Sequence, residues 1–298
     1  MGHASRLAEA WHDAPRHAPR EAAITQEAVP PAGSAVPSWI DLEGAANVRD
    51  VGGLPTVDGR RTRSGVLIRA DNLQGLTAAD VTRLLSELGV RTVVDLRSTG
   101  EVHLEGPGPL AGRAAHHHLT LIAERPGEPD SVEVGRAVPS FADRSARRGT
   151  TSTDMTGYYL GYVEDQPAHI AQALRVLADA GNGPTVVHCA AGKDRTGTVV
   201  ALALSLAGVT RDAVVADYVA SAERIEGVLA RLRASPSYAE DLTGQTIDDI
   251  RPVAASMERF LEEIDRRYGG PHGLAMSLGV DEETVARLAA RLIGPARP

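Results

Sequence analysis

The 298-residue chain has one cysteine, one lysine and few aromatic side chains: two Trp, six Tyr and two Phe. One cysteine excludes an internal disulfide, and equally a relay of electrons between thiols. No stretch approaches ~20 consecutive apolar residues, so no membrane-spanning helix is expected. The first thirty residues carry histidine, acid and proline but no apolar core segment, so no standard signal peptide is expected and the reading is cytoplasmic. The near-absence of lysine, against thirty arginines, reads as coding bias in a GC-rich genome. Net charge is −8. The surface as a whole is therefore not built for nucleic acid, and any anion site must be local.

The rare residues are not scattered. Cys189 and Lys193 lie four apart in His188-Cys189-Ala190-Ala191-Gly192-Lys193-Asp194-Arg195-Thr196-Gly197. Before them, Pro184-Thr185-Val186-Val187-His188 is the short β-branched run of a buried parallel strand. After them, Thr196 to Ala207 is apolar nearly all round and reads as a buried helix, with Gly208 as its stop. The segment is thus strand, tight loop, helix. Amide N–H groups converge at such a helix start, and the helix dipole favours an anion there. A thiol at the start of the loop feels the same field, which favours the thiolate. Arg195 adds a planar fork able to hold two phosphate oxygens at once. Thiolate, amides of Ala190, Ala191, Gly192 and Lys193, and arginine form a site that binds a phosphoryl group and attacks it. A lone cysteine at a strand end is usually a small core hydrophobe; the loop that follows makes that reading the weaker one here.

Cys189 to Arg195 is similar to the Cys-x5-Arg loop of the protein-tyrosine-phosphatase superfamily. The ten-residue string resembles the bacterial tyrosine and lipid phosphatases often called dual- or triple-specificity. Asn47-Val48-Arg49-Asp50-Val51-Gly52-Gly53 is similar to that family's Asn-Phe-Arg-Asp motif. Val93-Val94-Asp95-Leu96-Arg97-Ser98, through Glu101, resembles its Asp-Leu-Arg strand end. Ala216-Asp217-Tyr218 and Tyr268-Gly269-Gly270 have counterparts there too. The resemblance runs from about residue 40 to the end. Rhodanese-type loops look unlike this one, and a non-catalytic phosphate-binding module usually lacks the cysteine or the arginine.

The resemblance implies a cysteine-dependent phosphomonoester hydrolase that needs no metal and no cofactor. Cys189 would attack phosphorus and form a phosphocysteine. Arg195 and the loop amides would hold the equatorial oxygens. Lys193 would help neutralise the phosphate. Many tyrosine phosphatases take their acid from a mobile upstream loop, for which only Asp154 and Asp165 are candidates here. In the resembling bacterial enzymes the acid lies inside the loop, at the position of Asp194. His188 would hydrogen-bond nearby backbone and help place the thiolate. Thr196 would donate its hydroxyl to the sulfur. Asp95, Arg97, Arg49 and Asp50 rank below these, for rim structure or substrate contact.

Strands alternating with helices predict an α/β fold with a mainly parallel central sheet flanked by helices. Ligands in such folds bind beyond the carboxyl ends of the strands, which puts Cys189 and Asp95–Arg97 on one rim. Residues 1–38 read as an extension, with Leu7, Ala10 and Trp11 forming at most one amphipathic turn before Pro15 and Pro19. Residues 39–298 read as a single phosphatase domain. Val66–Arg69 and Arg91–Leu96 are predicted strands. Thr77, with Asp80, caps a helix ending near Leu88. Residues 104–152 are rich in Gly, Pro, Ser and Arg and read as irregular. Helices are predicted at about 155–163 and 167–180, the second with proline at its first position, then from Thr210 to about Ser221 and from Asp281 to about Ile293. Residues 222–268 read as two or three amphipathic helices carrying Arg224, Arg231 and Arg233. The resemblance makes them a helical lid; a solvated charged face is the equal alternative. In His116-His117-His118 only the outer pair could share a metal, and no acid or cysteine at ligand spacing supports it, so a polar strand or loop is the better reading.

The expected partner is a phosphorylated substrate: a phosphoprotein, a phosphoinositide or a small phosphate ester. A protein phosphatase needs an aromatic-lined cleft, and Tyr158, Tyr159, Tyr162 and Tyr218 are the candidate lining. The alternative is a phosphatase for a nucleotide, sugar or inositol phosphate.

Overall fold

Val93, Val94, Val186 and Val187 are fully buried, and the two faces of their strands are both apolar. The computed structural model describes residues 37–122 and 154–294. The one-turn reading at Leu7–Trp11, the extension up to residue 36 and most of the irregular stretch after residue 122 lie outside the described residues. Successive strand residues point to opposite faces. Leu67, Val94 and Val187 accordingly enter one core with Tyr159, Ile170, Val200 and Phe260. Ile68, Val93 and Val186 enter a second with Ile40, Leu84 and Val90. Two cores on two faces make a sheet sandwiched between helical layers.

The strands are β1 (Ser38–Trp39), β2 (Arg49–Asp50), β3 (Leu67–Ala70), β4 (Thr92–Asp95), β5 (Ala115–His118) and β6 (Thr185–His188). Their order is β1-β2-β3-β6-β4-β5. The pairs β3–β6, β6–β4 and β4–β5 are parallel, while β1–β2 and β2–β3 are antiparallel. Ala70 and Asp95 both stand opposite His188. Three parallel strands therefore end level, and Asp71, Leu96 and Cys189 follow them on one rim.

The helices are α1 (Ala78–Thr82), α2 (Thr99–Glu105), α3 (Thr156–Asp165), α4 (Pro167–Ala178), α5 (Asp194–Leu206), α6 (Arg211–Ala220), α7 (Ile225–Ala234), α8 (Ile247–Ile250), α9 (Ala254–Tyr268), α10 (Pro271–Ser277) and α11 (Glu282–Leu292). Local chemistry sets several starts. Thr77 and Asp80 form a capping box, Pro167 opens α4, and Asp281 accepts from the Thr284 amide. A π turn, Arg83–Glu87, extends α1. None of the described helices is long and apolar enough to cross a membrane.

One expectation is corrected: Ala115–His118, inside the stretch read as irregular, is the edge strand beside β4, in keeping with the polar strand or loop read for His116–His118. Its polar side chains give no alternating signal, and the β4 ladder dictates the conformation instead. Residues 222–268 divide between two packing environments. Met257, Phe260, Leu261 and Ile264 of α9 belong to the main core. Only the part through Ile250 covers the rim, where Ile225, Val228, Leu229, Leu232 and Leu242 pack with Ala190.

Candidate active site

The loop after β6 is anchored through its carbonyls. Ala190 O accepts from the Asn72 amide at 3.0 Å. Ala191 O accepts from Asn47 Nδ2 at 3.0 Å and Gly192 O from Arg69 Nη2 at 2.9 Å. Because each peptide is planar and trans, three outward carbonyls turn the next three N–H groups, those of Ala191, Gly192 and Lys193, to the opposite side. Gly192 has φ +66, and a Cβ there would lie 2.6 Å from Ala70 backbone atoms, so only glycine fits this turn. Asp194 then opens α5. An amide concavity at the start of a thirteen-residue helix is an anion cradle. Cys189 is 1% exposed at its mouth.

Arg195 is clamped. Its Nη1 and Nη2 donate to Glu101 Oε2 and Oε1 at 2.6 and 3.0 Å. Nη2 also donates to Tyr238 Oη at 2.8 Å, and Tyr238 donates to Glu101 Oε1 at 2.6 Å. Burial opposes the Arg195 charge, but Glu101, then Tyr238 and the Cys189 sulfur, outweigh it and hold the guanidinium well above its ordinary value. Glu101 is held below its ordinary value: burial opposes ionisation, and Arg195 overrides it. The same Glu101 caps α2, accepting the Ser98 amide at 2.6 Å.

A pH-dependent stability follows. A carboxylate with a depressed folded value stabilises the fold above the ordinary carboxylate range, and that contribution is lost as pH falls through the folded value. Glu101→Gln leaves the buried Arg195 cation uncompensated, at a cost of about 3 kcal/mol. Thermal midpoints should show the variant well below the parent at pH 7, with the gap closing only as pH falls below the ordinary carboxylate range and through the depressed Glu101 value. A constant gap would place the loss in packing.

Asp194 and Lys193 share the loop end. Lys193 Nζ lies 3.3 Å from Asp194 Oδ2 and donates to the Ile250 carbonyl at 2.8 Å. Asp194 Oδ1 accepts from Tyr159 Oη at 2.9 Å. The pocket at this rim is lined by Cys189, Ala190, Ala191, Lys193, Asp194 and Arg195 from the loop. Met155, Tyr158 and Tyr162 line one side, and Ile225, Val228, Leu232, Tyr238, Asp241, Leu242, Gln245, Asp249 and Ile250 line the other.

A model of the tyrosine phosphatase family matches residues 40–294. The chain belongs to that family. It is 30% identical over 285 residues, 85% of this chain and 99% of the relative, to the triple specificity protein phosphatase PtpB of Mycobacterium tuberculosis. It is 29% identical over 235 residues, 76% of this chain and 73% of the relative, to a tyrosine-protein phosphatase of Nostoc commune.

Under the loop, this phosphatase buries two arginines on one aspartate. Arg49 Nε donates to Asp217 Oδ1 at 2.9 Å, and Arg69 Nη1 pairs with Asp217 Oδ2. Burial, then the neighbouring Arg69 charge, bring Arg49 down to about 10, where it is still a cation at neutral pH. Arg49 therefore serves the floor of the site and not the substrate rim. Asp50 accepts the Gly52 amide at 2.7 Å and shapes a turn. Asp95 and Arg97 pair with each other, Nη2 to Oδ2 at 2.6 Å, and neither lines the pocket. Burial takes His188 down to about 4, so it is neutral at pH 7; its Nδ1 faces the Cys189 carbonyl at 3.4 Å. Thr196 Oγ1 is buried and makes no hydrogen bond among the described residues, so the expected contact to sulfur is not formed.

Asp154 accepts the Thr156 amide at 3.1 Å and pairs with Arg259 at 2.8 Å, and Asp165 is exposed at the end of α3. Neither lines the pocket, whereas Asp194, Asp241 and Asp249 do. Of the four candidate tyrosines, Tyr158 and Tyr162 line it; Tyr159 and Tyr218 lie beneath. The arginines of the covering segment are engaged elsewhere: Arg224 with Asp41, Arg231 with Asp71, Arg233 with the Gln245 carbonyl. His118 Nε2 is 2.8 Å from the Arg97 carbonyl, and among the described residues no three His, Cys, Asp or Glu side chains are grouped to hold a metal. Sequence alone assigns no role to Glu101 or Tyr238. The spacing Ser98-x-x-Glu101 is a capping-box signal that marks the α2 start; nothing local marks Tyr238.

Proposed function

We propose that this phosphatase hydrolyses phosphomonoesters through Cys189 and a phosphocysteine intermediate. The observation that carries the reading is the loop itself: outward carbonyls, inward amides, and a buried cysteine and a clamped arginine at one strand end. The thiolate of Cys189 attacks phosphorus in line as the P–O bond to the leaving group breaks. The loop amides and Arg195 hold the equatorial oxygens, and Lys193 adds its charge. Asp194 gives a proton to the departing oxygen. In the second half Asp194 takes a proton from water, the water oxygen bonds phosphorus, and the S–P bond breaks to return thiolate and free phosphate.

The substrates proposed are phosphotyrosine and phosphoinositides, in keeping with the triple specificity for which the PtpB relative is named. The walls formed by Tyr158, Tyr162, Tyr238 and Met155 suit an aryl phosphate. Comparing kcat/KM across a phosphotyrosine peptide, phosphoinositides and nucleoside monophosphates tests this; a nucleotide preferred by orders of magnitude would move the enzyme to small-molecule metabolism.

Asp194→Asn tests the acid. Turnover of an alkyl phosphate should fall by ~10²-fold or more, the usual worth of a general acid. p-Nitrophenyl phosphate, whose phenolate hardly needs a proton, should lose far less. Equal losses would make Asp194 structural, and Asp241 and Asp249 would then be the pocket carboxylates to test.

A further inference from the structure

Behind Asp194 stands a chain of hydroxyl groups that the reaction above does not use. Tyr159, on α3, is 0% exposed. Its hydroxyl donates to Asp194 Oδ1 at 2.9 Å and lies 2.6 Å from the Tyr218 hydroxyl. A phenol has one O–H, and Tyr159 gives its own to Asp194, so the 2.6 Å contact is donated by Tyr218, which sits on α6, and the chain runs one way: Tyr218 O–H to Tyr159, Tyr159 O–H to Asp194. Burial, then the Asp194 charge, then Tyr218 hold the Tyr159 phenol well above its ordinary value, so it remains a donor at any working pH. The ring is fixed edge-on, with centroids 6.0 Å from Tyr218 and 5.9 Å from Phe260.

We propose that Tyr159, backed by Tyr218, is a positioning residue for Asp194, an inference that rests on Asp194 being the acid. With Oδ1 committed to the phenol, Oδ2 is the oxygen that exchanges protons. Oδ2 also lies beside Lys193. In the first half-reaction the Oδ2 proton passes to the leaving oxygen. As charge develops on Asp194, the Tyr159 bond becomes charge-assisted and strengthens, so it favours the transition state over the ground state. In the second half water returns a proton to Oδ2. Tyr159 keeps its own proton throughout.

The test is Tyr159→Phe, with Tyr218→Phe, Asp194→Asn and the Tyr159→Phe/Asp194→Asn double variant, each checked for its thermal midpoint. Tyr159→Phe keeps the ring. It should lower kcat for an alkyl phosphate by ~10-fold, one lost charge-assisted bond, and leave KM nearly unchanged. p-Nitrophenyl phosphate should be affected less. The pH–rate profile of the alkyl phosphate should change at its alkaline limb, because the carboxylate loses the Tyr159 donor. The other groups facing Asp194 stay in place: Lys193, Arg195 and Cys189 on the loop, Tyr218 on α6, with Asp241 and Asp249 across the pocket. Tyr218→Phe should shift the same quantities by less. In the Asp194→Asn background, Tyr159→Phe should cost nothing further. An unmoved limb, equal losses for both esters, or full additivity in the double variant would overturn the inference. Asp194→Asn alone separates the two failures: if it discriminates between leaving groups and Tyr159→Phe does not, the acid stands and only the positioning role falls. If it does not discriminate, both fall.

Discussion

Cys189→Ser should abolish turnover by several orders of magnitude while leaving phosphate-ester binding largely intact. The serine hydroxyl is far less acidic than a thiol, so no anionic nucleophile is present at neutral pH. The cradle does not depend on the sulfur. Its carbonyls are tied to Asn72, Asn47 and Arg69, and its arginine to Glu101, none of which the substitution touches. A catalytically silent variant that still binds is therefore the expected result. It is checked by kcat with p-nitrophenyl phosphate and by Kd for a phosphate ester or an oxyanion such as tungstate. Mass spectrometry of rapidly quenched parent enzyme should find phosphate on Cys189 and none on the variant. Near-normal turnover in Cys189→Ser, or loss of parent activity to a metal chelator, would remove the proposed mechanism.

Arg195→Lys is expected to cost ~10²–10³-fold in kcat, the loss typical for removing a preorganised donor to developing negative charge. Lysine keeps one positive charge but not the planar fork. The surroundings sharpen the case. Leu96, Glu101 and Tyr238 all bind Nη1 or Nη2, at 3.3, 2.6 and 2.8 Å for their nearest contacts, so the guanidinium is held at a fixed angle by three elements. An ammonium has three N–H donors against the guanidinium's five, so it cannot meet Glu101 twice, Leu96, Tyr238 and the substrate together. KM should rise together with the fall in kcat. A raised KM with unchanged kcat would mean that arginine binds substrate and transition state equally. Because Tyr238 comes from the covering segment and bonds both Arg195 and Glu101, Tyr238→Phe is the natural companion variant, with a smaller loss in the same direction.

The sequence by itself determined what lies close along the chain. Cys189, the cradle amides and Arg195 fall within seven consecutive residues, so strand, loop and helix start must come together whenever that segment folds. The Thr77 and Asp281 caps and the Pro167 start are equally local, and they stand where the side-chain chemistry puts them. The parallel sheet was legible too, since two valine-rich strands separated by helical periodicity leave few other arrangements. Tertiary structure alone decided the rest. Glu101 reaches Arg195 across 94 residues, and Tyr238 reaches Glu101 across 137. Tyr159 and Tyr218 are aromatic residues that sequence places on the pocket wall; Tyr159 packs edge-on against Phe260 and Tyr218, both lie beneath the wall, and there the Tyr159 hydroxyl meets Asp194 and the Tyr218 hydroxyl meets Tyr159. The polar Ala115–His118 segment is a strand because β4 offers it a ladder, and α9 joins the core because its apolar stripe finds the sheet-side helices. Each of these outcomes depends on which surfaces meet, and a glutamate or tyrosine carries no periodic signal along the chain that says what it will face.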